Sequence, residues 1–519
     1  MSLAVVAVAG LTATFAVAPA AAVVGPLGQA SGPSLFAPGC HGAPQNGTLF
    51  VGSEVEPWVG VNPTNPGRLI GVYQQDRFSS GGASGLGTSV SHDGGLSWFQ
   101  LPVAALPKFS RCAGAAPGGV GDYERATDPW VTFGPDGHAY QMSLSFNDTR
   151  DLANAMLVSE SLDGGLTWGP PQELIRDTNP HVFNDKNSMT ADPHNPGLVY
   201  GVWDRLVFPN ERAGGVSFLT AAAFVGPTYF TRTTNGGAGW EPARNIFDPG
   251  QNDQTIGNQI SVTGVGDLVN VMTVFRNDNQ LGRKGGTISV LRSTDKGTAW
   301  SGEVVVGRLG TVGVSDPRDG APVRTGDIIP SIATDERPGR DEVYVVWQDA
   351  RWSGFQRDQI AFSKSTDGGR TWTPAVRINS VASTQAFTPA IEVDAQGNVA
   401  VLHYDFRNDT AADTPLTTDV WILRSSDGGA TWSEERVSPF SFDMRQAPNA
   451  RGFFVGDYIG LGATGTTFKP FWTMSTPATD TFGTTVAAPF PPATITPEAS
   501  PAGLSGTAFP AHRGKPTPR

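Results

Sequence analysis

Charge is scarce in this sequence. Of 519 residues only 16% are Asp, Glu, Lys or Arg, and acidic residues outnumber basic ones 48 to 36, for a net charge of -12. No basic stripe is present to neutralise phosphates, so nucleic acid is excluded as a partner. Cysteine is nearly absent, with Cys40 and Cys112 alone. An even pair in an exported chain points to one disulfide; two buried free thiols are the alternative. The seven His are scattered through turns and strands without ligand spacing, so neither a metal site nor a cofactor is expected. Long apolar runs are missing as well: beyond Met1–Ala22 nothing approaches the length of a transmembrane span. That first Ala/Val-rich stretch itself lacks the positive start of a secretory signal. It does carry small residues at Ala18-Pro19-Ala20 and Ala20-Ala21-Ala22, where a leader would be cleaved, and Pro19 argues against a buried helix. Residues 1–22 are therefore read as a signal peptide and the chain as secreted and extracellular.

What the sequence has in abundance is Gly (64), Pro (41) and Trp (13), the composition of many short strands and turns. One octapeptide is written six times. Its clearest copy is Ser365-Thr-Asp367-Gly-Gly369-Arg-Thr371-Trp372, matched at Ser91–Trp98, Ser161–Trp168 and Ser425–Trp432; degraded copies are Thr233–Trp240 and Ser293–Trp300. Each follows a β-type run and leads into another, so each is a hairpin turn. The Asp or Asn accepts hydrogen bonds from amides further round the turn, the second Gly takes a positive φ, and the Trp is expected to be buried in its own unit. The Asp or Asn positions are 93, 163, 235, 295, 367 and 427, a loose period of 60 to 72 residues. Each period holds four short strand signals, the pattern of a propeller blade. After the sixth copy, Phe453–Leu461 and Thr467–Trp472 read as the first two strands of another unit with no octapeptide, its outer strand supplied by Thr48–Val51. The expected fold is an all-β propeller of four-stranded antiparallel blades, six with the octapeptide and a closing seventh, or six in all. Its span is 47–475, preceded by a Pro/Gly-rich segment over 23–46 and followed by a Thr/Pro/Ala-rich, disordered tail over 476–519.

Strand order then locates chemistry. The octapeptides join strands three and four. The loops after strand two and those leading into strand one share the other face. After strand two stand Gln75-Asp76-Arg77, Trp203-Asp204-Arg205, Phe275-Arg276, Asp349-Ala350-Arg351 and Asp405-Phe406-Arg407. Ahead of strand one stand Glu56, Asp128, Asp185, Gln259, Asp327, Asp457 and Tyr458. A ring of Arg and Asp lining one channel mouth is expected.

The repeated octapeptide resembles the Asp box (BNR repeat) of sialidase-like β-propellers, the exo-alpha-sialidase superfamily. The resemblance implies a glycoside hydrolase releasing terminal acidic sugars from glycans, and a monomer. In that family three Arg hold the sugar carboxylate, an Asp is the acid/base, and a Tyr paired with a Glu is the nucleophile. Matched by loop, Arg77, Arg276 and Arg351 are the triad with Asp457 beside them, Asp128 is the acid/base, and Tyr458 or Tyr404 is the nucleophile. Glu56 and Glu124 are the candidates for the Glu. The family's Arg-Ile-Pro motif is absent, and Gln75-Asp76-Arg77-Phe78 stands in its place. The structural alternative is that a loop repeated in nearly every unit serves the unit, its Asp and Arg forming ion pairs; a catalytic residue occurs once. Two other functional classes remain, a non-catalytic glycan-binding or adhesion propeller and a two-carboxylate glycosidase on the same scaffold.

Overall fold

The computed structural model describes residues 23–208, 225–276, 285–412, 414–476, 478–488 and 491–501. The expected signal peptide and the last eighteen residues lie outside them. The regular structure of the described residues is nearly all strand, arranged as successive antiparallel meanders joined by turns and irregular connections. The first runs Leu49–Val61, Leu69–Phe78, Ala83–Ser91 and Phe99–Gln100, and the units that follow repeat the plan. Second strands such as Leu69–Phe78 and Val343–Asp349 are buried at every residue. A sheet covered on both faces by its neighbours has no wet side, which is why these strands read as apolar runs rather than alternating.

The first strands touch in cyclic order: Leu49–Val61, Arg125–Phe133, Val182–Ala191, Gln254–Val262, Ser331–Thr334, Ala386–Val393 and Gly460–Thr464, the last returning to the first. Sheets standing side by side with their first strands in a closed ring form a β-propeller-like architecture.

The octapeptides are the turns expected. Asp367 Oδ1 accepts the amides of Arg370 (3.0 Å) and Thr371 (2.9 Å), and Oδ2 accepts the Thr371 hydroxyl at 2.6 Å. Ser365 Oγ donates to Asp367 Oδ1 and takes the Gly369 amide at 2.8 Å. Gly369 sits at φ +84. Burial of the Trp departs from expectation. Trp432 is fully buried, whereas Trp98, Trp168, Trp240, Trp300 and Trp372 are half-buried, because they lie at the ends of their sheets. Trp432 differs because Ile495 of the C-terminal segment pairs with it.

Closure of the ring also differs. Thr48–Val51 is not the outer strand of the last unit; Leu49 and Phe50 pair with Phe78 and Arg77 inside the first. The last unit is Gly460–Thr464, Thr467–Thr476 and Ala478–Gly483, with Val23–Val24 and Gly28–Gln29 of the N-terminal segment added at its outer edge. The boundary drawn at 475 therefore falls inside a hairpin. The Thr residues that make 479–485 look like a linker are β-branched and suit a strand. Further on, Glu498–Ala499 joins Val376–Arg377 as a fifth strand. Cys40 and Cys112 form a disulfide, with Cα atoms 4.9 Å apart, tying the N-terminal segment to the connection between the first two units.

Two long connections meet over one mouth of the ring. Val314–Ser315 and Pro322–Arg324 pair with each other, and Phe453–Phe454 adds in parallel to make a small cap. Backbones press close here: a Cβ on Gly326 (φ +61) would come 2.1 Å from the Asp457 carbonyl oxygen.

Candidate active site at the channel mouth

The first strands carry a shared defect. Their pairing slips at Val55/Trp58, Thr127/Trp130, Asp185/Ser188, Ile256/Gln259 and Phe387/Ala390. At each slip one residue has positive φ: Glu56 (+53), Asp128 (+52), Lys186 (+48), Gly257 (+74) and Thr388 (+51). Such a bulge re-aims a side chain, and away from glycine each kink costs about 1–3 kcal/mol. The freed amides are caught from elsewhere in the ring: Glu56 N–H by the Val455 carbonyl, Lys186 N–H by Asp128 Oδ2, Gly257 N–H by Asp204 Oδ2 and Thr388 N–H by Gln348 Oε1. Three consecutive units place Glu, Asp and Lys at this one position.

Those three side chains meet Asp457 and Tyr458. The Lys186 ammonium lies 2.8 Å from Asp457 Oδ2, 3.0 Å from Glu56 Oε1 and 3.7 Å from Asp128 Oδ1. Asp457 is also gripped by Arg324 of the cap, whose Nε donates to Oδ1 at 2.9 Å and whose Nη2 donates to Oδ2. Glu56 takes a hydrogen bond from Gln74 Nε2, and Arg77 Nη1 donates to Gln74 Oε1 at 2.6 Å. Arg77 and Arg324 flank the Phe454 ring at 4.9 and 4.2 Å from its centroid. Arg77 Nε and Arg324 Nη1 have no acceptor among the described residues. Trp58 and Trp130 stack at 3.6 Å, with the Tyr458 ring edge-on to both. A cleft beside them is lined by Trp58, Tyr458, Asp457, Gln259, Ser331 and Thr388.

Burial sets the electrostatics. Glu56 is pushed up to about 7 by burial, against the pull of Lys186. Burial opposes the charge on Asp457 too, but Arg324 and Lys186 hold it well below the usual carboxylate range. Lys186 is raised, the attraction of Asp128, Asp457 and Glu56 outweighing burial. Arg77 is lowered to about 10 by burial and the nearby Arg324. The Tyr458 phenol is pushed far up by burial and the surrounding carboxylates, and its hydroxyl donates to the Pro129 carbonyl at 3.2 Å. Two neighbouring carboxyls pushed in opposite directions are the usual basis of acid and base roles.

Of the residues matched from the sequence, Asp128, Asp457, Tyr458 and Arg77 gather here, with Glu56. The others do not. Arg276 is held by Glu303 and Asp253 within its own unit. Arg351 is bidentate on Asp349, two residues before it, and donates to the Arg308 carbonyl. Tyr404 is core: stacked on Phe387, it donates to the Thr473 carbonyl and accepts the Thr473 amide. Arg205 and Arg407 likewise pair with Asp177 and Asp405. The expected Arg/Asp ring is thus a set of separate ion pairs: Arg351 and Arg407 are satisfied by an Asp two residues before them, Arg276 by acids of its own unit, and Arg205 by Asp177 at the end of the preceding unit. Glu124 caps the Asp148 and Thr149 amides away from the mouth.

The guanidinium groups that do assemble are Arg77, Arg324 and Arg451, each felt in the electrostatics of the next. Arg324 and Arg451 were missed because they lie in unrepeated connections, where a single sequence offers no register. Lys186 was findable: it follows Asp185 and occupies the position of Glu56 and Asp128.

No protein-family model matches the chain, and no curated protein does. Solved structures similar to it include a Hadza microbial sialidase (16% identity, TM-score 0.44, covering 70% of this chain and 66% of that one). Others are an alpha-L-arabinanase of Penicillium chrysogenum (11%, 0.42, 90% and 98%) and an intramolecular trans-sialidase of Ruminococcus gnavus (12%, 0.40, 72% and 96%). At this identity those activities belong to those proteins.

Proposed function

We propose that this chain is an exported glycoside hydrolase of the sialidase type, built on seven blades and releasing a terminal acidic sugar. The observation that carries the reading is the convergence, at one mouth, of Glu56, Asp128, Asp457 and Tyr458 with two guanidiniums that keep unused N–H groups. A sugar carboxylate supplies the acceptors that Arg77 Nε and Arg324 Nη1 lack. Asp128 protonates the leaving glycosidic oxygen. The Tyr458 oxygen attacks the anomeric carbon while Glu56, poised near neutrality, takes the phenolic proton, and water then releases the sugar with Asp128 as base. The neutral, buried phenol is a poor nucleophile until such a base acts, so Glu56 is essential to the scheme. Export is supported by the Cys40–Cys112 disulfide.

A fluorogenic sialoside assay on the purified protein, alongside Tyr458→Phe and Arg324→Ala, tests this. Turnover crippled in both and retained in Arg351→Ala is the expected result; a parent inert on sialosides and other acidic glycosides sinks the reading. A glycan-binding role without turnover is the second reading. It is favoured by one observation, that Lys186 and Arg324 already satisfy Glu56 and Asp457. Saturable glycan binding with no cleavage decides for it.

A further inference from the structure

Lys186 has no place in the scheme above, yet it makes the densest contacts at the mouth. It sits on the first strand of the third unit at φ +48, where the next unit has Gly257. A lysine held in that conformation is strained, and its side chain is 10% exposed. The ammonium reaches carboxylates from three other units: Glu56 of the first, Asp128 of the second and Asp457 of the last. It also lies 5.7 Å from the centroid of the Tyr458 ring.

The three carboxylates are not treated alike. Glu56 and Asp457 each accept a hydrogen bond from Nζ. Asp128 Oδ1 is beyond hydrogen-bond reach of Nζ and takes the Thr127 hydroxyl at 3.0 Å, while Oδ2 takes the Lys186 backbone amide at 3.0 Å. We propose that the Lys186 ammonium is a positioning group that clamps Glu56 and Asp457 beneath Tyr458 and leaves Asp128 without a charged hydrogen bond. This rests on the hydrolase reading for its catalytic meaning, but the clamp itself does not.

The other charged and titratable groups facing the ammonium are Asp185 on its own strand, Arg324 on the cap, Arg77 across Gln74, Arg451 beyond Arg324, and the Tyr458 phenol. Removing the ammonium leaves Arg324, among the described residues, as the one cation bonded directly to these carboxylates. Like charges this close do not all stay ionised, so one carboxyl must take up a proton. Lys186→Met deletes the charge and keeps both the chain length and the backbone amide that holds Asp128; Lys186→Arg keeps the charge.

The test is a carboxyl titration of the parent and both variants by 13C NMR with labelled Asp and Glu, paired with the pH dependence of kcat/KM on the sialoside. In Lys186→Met one mouth carboxyl that is ionised in the parent stays protonated at pH 7, its midpoint up by at least one pH unit, and Lys186→Arg restores it. The acid limb of kcat/KM moves up by the same amount. Unchanged titrations in Lys186→Met overturn the proposal. Shifted titrations in a protein inert on every acidic glycoside leave the clamp standing and remove the hydrolase reading. Should Lys186→Met not fold, Lys186→Gln carries the comparison; if both unfold while Lys186→Arg is normal, the residue is a structural tie and the proposal is wrong.

Discussion

The two faces of the ring solve opposite problems with similar residues. On one face the octapeptide turns use the same Ser, Asp, Gly and Thr over and over, and the hydrogen bonds of the Ser365 and Asp367 side chains close within eight residues. On the other, one kinked position in the first strands is occupied by Glu, Asp, Lys, Gly and Thr in turn, and the bonds cross from unit to unit. Carboxylates differ accordingly. Those of the turns are pulled down; Asp367 falls to about 2 because the Thr371 hydroxyl and amide outweigh its slight burial. At the mouth Glu56 is pushed up. Repetition marks what a fold needs in every unit, and departure from repetition within a repeated geometry marks where one molecule does something once.

That contrast can be broken most sharply at the mouth. Glu56→Gln and Asp128→Asn should each lower kcat/KM by about 10²–10⁴-fold, the usual worth of a positioned acid or base, with the fold intact by circular dichroism. Equal losses on changing Asp367 would erase the distinction between the faces. Next in size is Trp432→Ala, expected to cost about 3–5 kcal/mol by denaturant unfolding, as for a fully buried ring. The half-buried Trp372 should cost less, and a Trp372→Ala protein that melts like the parent would strip the octapeptide Trp of any structural role. Asp367→Ala removes the acceptor for two amides and two hydroxyls and should cost about 1–2 kcal/mol with unchanged kcat/KM.

Acidity supplies a smaller and signed comparison. Folded-state pKa values lowered in the turns, as at Asp93, Asp163 and Asp367, give stability that is present above the unfolded value near 3.8 and lost as pH falls toward about 2. Glu56 is raised from 4.5 to about 7, so its contribution is full below 4.5 and is lost as pH rises through 7. Thermal melts should therefore show stability rising from pH 2 to 4, and Glu56→Gln should flatten the decline between pH 5 and 8. A decline identical in parent and variant would mean that Glu56 does not titrate in that window. Smallest of all is Arg351→Ala: bound to Asp349 in its own loop, it should leave kcat/KM within twofold of the parent.

Much of the ring was legible from the chain. The octapeptides announced hairpins and a period, and the order of strands told which ends of which strands share a face. That reasoning brought Asp128, Asp457, Tyr458, Arg77 and Glu56 onto one side, where they meet. It failed for Arg276, Arg351 and Tyr404, because loop class says which face a residue is on and not how far it stands from the channel. Arg351 just follows a second strand and Tyr404 lies in one, a row out from the first strands, and the groups that hold them, Asp349 and the Thr473 backbone, are on second strands too. It failed again at the C-terminal side, where Ala478–Gly483 looks like part of a linker by composition and is a strand in the closing unit.

Local chemistry explains the division. Turn hydrogen bonds, glycine φ angles and strand propensity act over a few residues, so the sequence by itself determined the all-β repeat and the octapeptide turns. Which N-terminal residues close the ring, which arginine reaches which carboxylate, and that Lys186 joins Glu56, Asp128 and Asp457 depend on contacts between distant residues, 271 positions apart for Lys186 and Asp457 and 459 for Gly25 and Thr484. Only the closing of the ring brings such residues within 3 Å, and it is there that burial, which no residue carries in its own letter, pushes Glu56 up while Arg324 and Lys186 hold Asp457 well below the usual carboxylate range.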